Sequence, residues 1–138
     1  MTTRFNIASV PEDIMIPAPR LVVYGEPKVG KTSFASGAPA PLLIQTEDGA
    51  AGLRIPKIPE TPCETWEELI QCLRHVLKED HDRKTLIIDT LDKAELLAQR
   101  KVLAEQFDGD KKKYMAYYVG PVIAGEMISE VLFALDVI

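Results

Sequence analysis

Hydrophobic positions in this chain fall into three short runs and several periodic stretches. Leu21, Val22, Val23 and Tyr24 form the first run, Leu42, Leu43 and Ile44 the second, and Leu86, Ile87 and Ile88 the third. Runs this short and this uniformly apolar read as strands buried on both faces, the condition of a parallel sheet covered by helices. They predict strands at 20–24, around 42–44 and at 85–89. Helical spacing appears elsewhere. Trp66, Leu69, Ile70, Leu73, Val76 and Leu77 make one stripe, opened by Thr65 with Glu68 three positions on, the signature of a capping box. A second helix, from about 92 to 107, carries Ala94, Leu97, Leu103 and Phe107 inward. A last one starts at Gly120 and Pro121 and turns Val122, Ile123, Met127, Ile128, Val131, Leu132 and Leu135 to the core.

Prolines mark what lies between. Pro11, Pro17 and Pro19 limit residues 1–19 to a lead-in, with at most a short edge strand through Phe5, Ile7 and Val10. Pro56, Pro59 and Pro62 make 50–64 an extended connection, and the charged run 78–84 reads as a solvated turn. Strand, helix and strand in succession predict an α/β fold with a parallel sheet core. The predicted organisation is a lead-in at 1–19 and one domain from 20 to 138.

Composition narrows the function. The 46% hydrophobic content suits an ordinary globular core, and no apolar run is long enough to span a bilayer. With no signal-peptide pattern at the N-terminus, the expectation is a cytoplasmic protein without a membrane partner. Cys63 and Cys72 are too few for a disulfide scaffold and lack zinc-motif spacing. A metal site with His75 and His81 is conceivable, but free thiols and two helix-surface imidazoles are the simpler reading. A net charge of −5 argues against a broad nucleic-acid footprint.

The chemistry sits just after the first run. Gly25, Glu26, Pro27, Lys28, Val29, Gly30, Lys31 and Thr32, followed by Ser33, fit G-x-x-x-x-G-K-[ST], the phosphate-binding loop. A chain this long matches that pattern by accident roughly once in two hundred. Glycines at both ends let the backbone turn and approach a phosphate, and successive N–H groups then face one concavity. A short helix from about Lys31 to Ser36, ended by Gly37 and Pro39, adds its own N-terminal N–H groups. Lys31 is placed to reach the terminal phosphates and the Thr32 hydroxyl to ligate magnesium.

Two further positions fit the same edge of the sheet. The second run ends in Gln45, Thr46, Glu47, Asp48 and Gly49. Ligands of open α/β sheets bind beyond the carboxyl ends of the strands, so Glu47 and Asp48 are candidates to face a nucleotide, against the alternative of a solvated acidic turn. The third run ends in Asp89, the Walker B pattern, placed to reach the magnesium held by Thr32. Thr90 and Asp92 suit supporting or helix-capping roles. Finally, Lys111, Lys112 and Lys113 lie near Tyr114, Tyr117 and Tyr118. Cations with aromatics suit a single-stranded nucleic acid, but an exposed loop whose tyrosines pack on the domain is the favoured reading.

LVVYGEPKVGKTSFASGAPAPLLIQTEDG followed by TLIIDTLD resembles phage nucleotide-binding proteins of the AAA/RecA-like group, some of which act in recombination or single-strand annealing. The resemblance covers about residues 20–135. It implies a RecA-like ATPase that uses ATP and magnesium, with single-stranded DNA and a homo-oligomer as partners. It assigns the Walker lysine to Lys31, the magnesium hydroxyl to Thr32, the Walker B aspartate to Asp89 and the water-activating glutamate to Glu47. No arginine finger is evident, and a neighbouring subunit is a common source of one. The family continues past the last helix with a strand lying between those at 20–24 and 85–89. The resemblance therefore implies an N-terminal portion of a longer protein, with those two strands about 10 Å apart, unpaired with each other and weakly active alone. Two rivals are a nucleotide-gated DNA-binding module with little turnover and a small-molecule P-loop kinase.

Overall fold

The computed structural model describes residues 18–136. The expected edge strand through Phe5, Ile7 and Val10 lies outside them. Three strands form one parallel sheet: β1 (Pro41–Gln45), β2 (Lys57–Ile58) and β3 (Thr85–Asp89), in the order β2-β1-β3. Pairing Pro41 with Thr85 and Gln45 with Asp89 sets β1 and β3 level, so both deliver their C-terminal residues to one edge. Flanking the sheet are α1 (Lys31–Ser36), α2 (Trp66–Lys78), α3 (Leu91–Phe107), α4 (Lys111–Met115) and α5 (Val119–Ala134). No helix among the described residues is long and apolar enough to cross a membrane.

Alternation along the strands divides the core. Ile44, with Leu42, Leu86 and Ile88, faces a cluster built from α2, α3, α4 and α5. Leu43 and Ile87 face the other way, onto Ala50, Leu53 and Ile55. The α2 cap forms as its sequence directs. The Thr65 hydroxyl accepts from Glu68 N at 3.2 Å, while Glu68 Oε2 accepts from Thr65 N at 3.3 Å and Glu64 N at 2.7 Å. Such caps contribute about 1 kcal/mol. The stripe behind it buries Trp66, Leu69, Leu73 and Val76, together with Cys72, whose place on that face the apolar count had passed over. Leu77 stays exposed instead. In α3, Ala98 and Val102 are buried along with the expected Ala94 and Leu97.

Both thiols are free and buried. Burial, with Cys72 alongside, pushes the Cys63 thiol up to about 12, and burial also raises Cys72. They behave as small apolar side chains. His75 sits exposed near Glu79, and His81 Nε2 lies 3.0 Å from Val76 O, closing the end of α2. No cluster of three or more His, Cys, Asp or Glu suited to a metal occurs among the described residues.

Four expectations need correction. Residues 20–24 form no strand and make no backbone pairing with the sheet, and Leu21, Val22 and Tyr24 are largely exposed. A strand exists only with a partner, and β3 is an edge of the sheet on the side away from β1. Residues 20–24 and β3 share no backbone bond among the described residues, but the first is not a strand, so the expected pair of separated strands is not formed. Leu21, Val22, Val23 and Tyr24 with Phe34 line an open apolar groove of about 310 Å3. Second, the 50–64 connection is not wholly irregular, because β2 pairs Lys57 and Ile58 with Leu43 and Ile44. Third, residues 108–114 are not a plain loop. Asp110 caps α4 by accepting from Lys112 N at 2.9 Å and Lys113 N at 3.2 Å. Tyr114 packs edge-on to Phe107 with centroids 5.6 Å apart, whereas Tyr117 and Tyr118 remain exposed. Fourth, on α5 Val131 is buried as expected, but Val122 and Leu132 are exposed and Gly120 and Ala124 take the inner positions. A Cβ on Gly120 would lie 2.2 Å from the Tyr114 ring, so the ring seats only against glycine.

Candidate nucleotide site

The loop between residue 25 and α1 is shaped by backbone signs more than by contacts. Gly30, the residue before α1, has φ 97°, a value that disfavours any side chain, although nothing lies within 4 Å of where its Cβ would be. Lys28 also adopts a positive φ of 67°, uncommon for a non-glycine residue and not anticipated. Glu26, Pro27, Lys28 and Val29 are exposed, as is Ser33 on the first turn of α1. The loop thus leaves its backbone open to solvent.

Lys31 folds back over this loop. Its Nζ donates to Gly25 O at 2.8 Å and Glu26 O at 2.9 Å, so the ammonium sits within the concavity its own loop makes. Its neighbour Thr32 faces the sheet. Thr32 Oγ1 donates to Asp89 Oδ2 at 2.6 Å, joining residues 57 positions apart. Asp89 is buried at the end of β3, and a buried carboxylate needs such donors.

The end of β1 completes the cluster. Thr46 N and Glu47 N both donate to Asp89 O, at 2.9 and 3.3 Å. Gly49 N donates to Glu47 O at 2.9 Å, turning the chain over the site. A Cβ at Gly49 would lie 3.4 Å from Asp89 Oδ2, 3.8 Å from Thr32 Oγ1 and 4.0 Å from Glu47 Cγ. Thr32, Glu47 and Asp89 therefore converge around Gly49. Glu47 is half-buried there, while Asp48 points out to solvent.

Two participants were not singled out by sequence. Gly49 is one, since a glycine after an acidic turn looks like ordinary punctuation. Thr46 is the other. Its buried hydroxyl accepts from Thr90 N at 2.7 Å and donates to Thr90 O at 2.7 Å, beside the cis Asp89–Thr90 peptide. Thr90 in turn caps α3 by accepting from Lys93 N at 3.4 Å. A threonine at the end of a strand, one position before a candidate acid, was the available signal. Thr46→Val should cost about 1–3 kcal/mol of unfolding free energy in urea titrations, because it orphans the Thr90 N–H, while Thr46→Ser should cost much less. Equal losses for both would mean the hydroxyl is idle.

Magnesium fits this donor set. Hydroxyl and carboxylate are hard oxygen ligands, and this ion is commonly held by one or two protein oxygens plus substrate phosphates and water. Thr32 and Asp89 already meet at hydrogen-bond distance, which one ion bound by both could replace. An open loop of backbone N–H groups beside them fits phosphates.

Such a loop, with its threonine bonded to a carboxylate at the end of a parallel strand, defines a P-loop nucleotide-binding protein. A family model described as an AAA domain matches residues 18–120, and the chain belongs to that family. Nucleotide binding, with ATPase activity in general, is what that family brings. Comparison with curated proteins and with solved structures finds no match.

Proposed function

We propose that the chain is a RecA-like, magnesium-dependent ATPase serving phage-type DNA recombination or single-strand annealing. The observation that carries the ATPase part is the 2.6 Å contact of Thr32 with Asp89, made across 57 residues by the two groups such a site uses for magnesium. The DNA setting rests on the resemblance of the two motif stretches alone.

In this reading the N–H groups of 28–31 hold the β- and γ-phosphates. Lys31 leaves Gly25 O and Glu26 O and donates to phosphate oxygens instead. Thr32 and Asp89 hold magnesium directly or through water. Bound magnesium neutralises charge on the phosphate oxygens. Glu47, half-buried beside Asp89, orients a water and takes its proton for in-line attack. An arginine from a second copy would complete the charge balance, which makes assembly on DNA part of the proposal.

The test is phosphate release by the purified protein with ATP, with and without magnesium, and with and without single-stranded DNA. Magnesium-dependent, DNA-stimulated release is expected. Tight ATP binding with no release under any condition would favour a nucleotide-gated binding module. No ATP binding at all would overturn the reading.

A further inference from the structure

The turn between α4 and α5 displays two tyrosines that the nucleotide site does not use. Tyr117 is 97% exposed and Tyr118 68% exposed. Both have left-handed backbones, with φ 53° and 58°, a conformation that bulky L-residues rarely adopt. The turn is fixed from beneath. Tyr114 is buried against Phe107 and over Gly120, and Asp110 caps the helix that leads in. The two outer rings are thus held outward on an anchored knuckle.

Three exposed lysines stand beside them. Lys113 reaches Asp110 only at 4.0 Å, and Lys111 and Lys112 make no ion pair among the described residues. Asp108 and Asp110 are the acids on the same segment, and Asp110 is engaged with backbone N–H groups. Cations can follow a phosphate backbone while flat exposed rings stack on unpaired bases. The adenine of a nucleotide at the phosphate loop is not the target. The knuckle follows the far end of α3, a helix about 25 Å long that starts next to Asp89.

We propose that residues 111–118 bind single-stranded nucleic acid, Tyr117 and Tyr118 stacking on bases and Lys111, Lys112 and Lys113 pairing with phosphates. This deepens the reading above by giving its DNA a place, yet the binding is independent of ATP. An exposed rim of Met115, Val119 and Val122 also suits a second copy of the chain, which the test separates.

The test is fluorescence anisotropy of labelled oligo-dT and oligo-rU with the whole chain, without nucleotide. Oligonucleotide binding is expected, and the preferred sugar identifies DNA or RNA as the natural source. Tyr117→Ala with Tyr118→Ala should weaken it roughly tenfold or more, and the paired Phe substitutions should restore it. Replacing Lys111, Lys112 and Lys113 with Ala should flatten the slope of log affinity against log salt by about two. Nucleotide binding should survive in all these variants, showing that they fold. A Lys31→Ala variant should still bind oligo-dT, so loss of ATPase activity and loss of this site are distinguishable. No oligonucleotide binding, or affinity unmoved by the paired Ala substitutions, would overturn the proposal. Self-association that disappears in that variant, with no oligonucleotide bound by the wild type, would assign the knuckle to a second copy instead.

Discussion

Lys31→Ala should lower affinity for ATP with magnesium by roughly 10- to 100-fold while leaving the fold intact. The ammonium now donates to Gly25 O and Glu26 O at 2.8 and 2.9 Å. Nucleotide binding exchanges these neutral carbonyls for charged phosphate oxygens. A hydrogen bond between charged partners contributes about 1.5–3 kcal/mol, which gives the quoted range. The fold should not suffer, because the ammonium is bonded to carbonyls of its own loop. Alanine also removes the two ties that hold the loop closed in the free protein. Calorimetry with ATP and magnesium checks the affinity, and a thermal melt checks the fold. Affinity within about twofold of wild type would defeat the phosphate-loop reading.

Local signals were the legible part of this fold. Gly30 and Gly37 bound α1 where the sequence suggested, because a positive φ and a helix stop are decided within a few residues. The box of Thr65 and Glu68 likewise fixes the start of α2. β1 and β3 were legible because they pair with each other and pack their apolar residues against the two core clusters. Residues 20–24 have the same apolar composition and form no strand, since composition cannot say whether a neighbouring edge is present. β2 hid among prolines because its two residues pair only through tertiary contact with β1. Cys72, Ala98 and Val102 lie on core faces yet fall outside the stripes read from the sequence.

The same division runs through the candidate site. Lys31, Thr32 and Asp89 follow from motif spacing, and the bond from Thr32 to Asp89 brings their elements together. Thr46 and Gly49 became visible only when β1 and β3 were set in register, because what they do depends on a strand 40 residues away. Tyr117 and Tyr118 were expected to pack inward with Tyr114. Only one ring fits over Gly120, and the backbone turns the other two outward.

Glu47→Gln should retain ATP binding and lower turnover by about 10²- to 10⁴-fold, the usual contribution of a positioned proton acceptor. The amide keeps the size and hydrogen bonding of the carboxylate but cannot take a proton from water. Structure distinguishes Glu47 from its neighbour. Glu47 N is bonded to Asp89 O, and its Cγ lies 4.0 Å from the Gly49 Cβ position that also faces Asp89 and Thr32. Asp48, one residue on, is exposed. Asp48→Asn should therefore leave turnover nearly unchanged. Single-turnover phosphate release, with ATP affinity measured on the same samples, separates the chemical step from binding. If Asp48→Asn halts release and Glu47→Gln does not, the base is the exposed carboxylate, and the chain after β1 must rearrange to bring it in when nucleotide binds. If neither change slows release, water is activated without either acid, and the convergence of Glu47 on Asp89 serves only to hold the strand ends together.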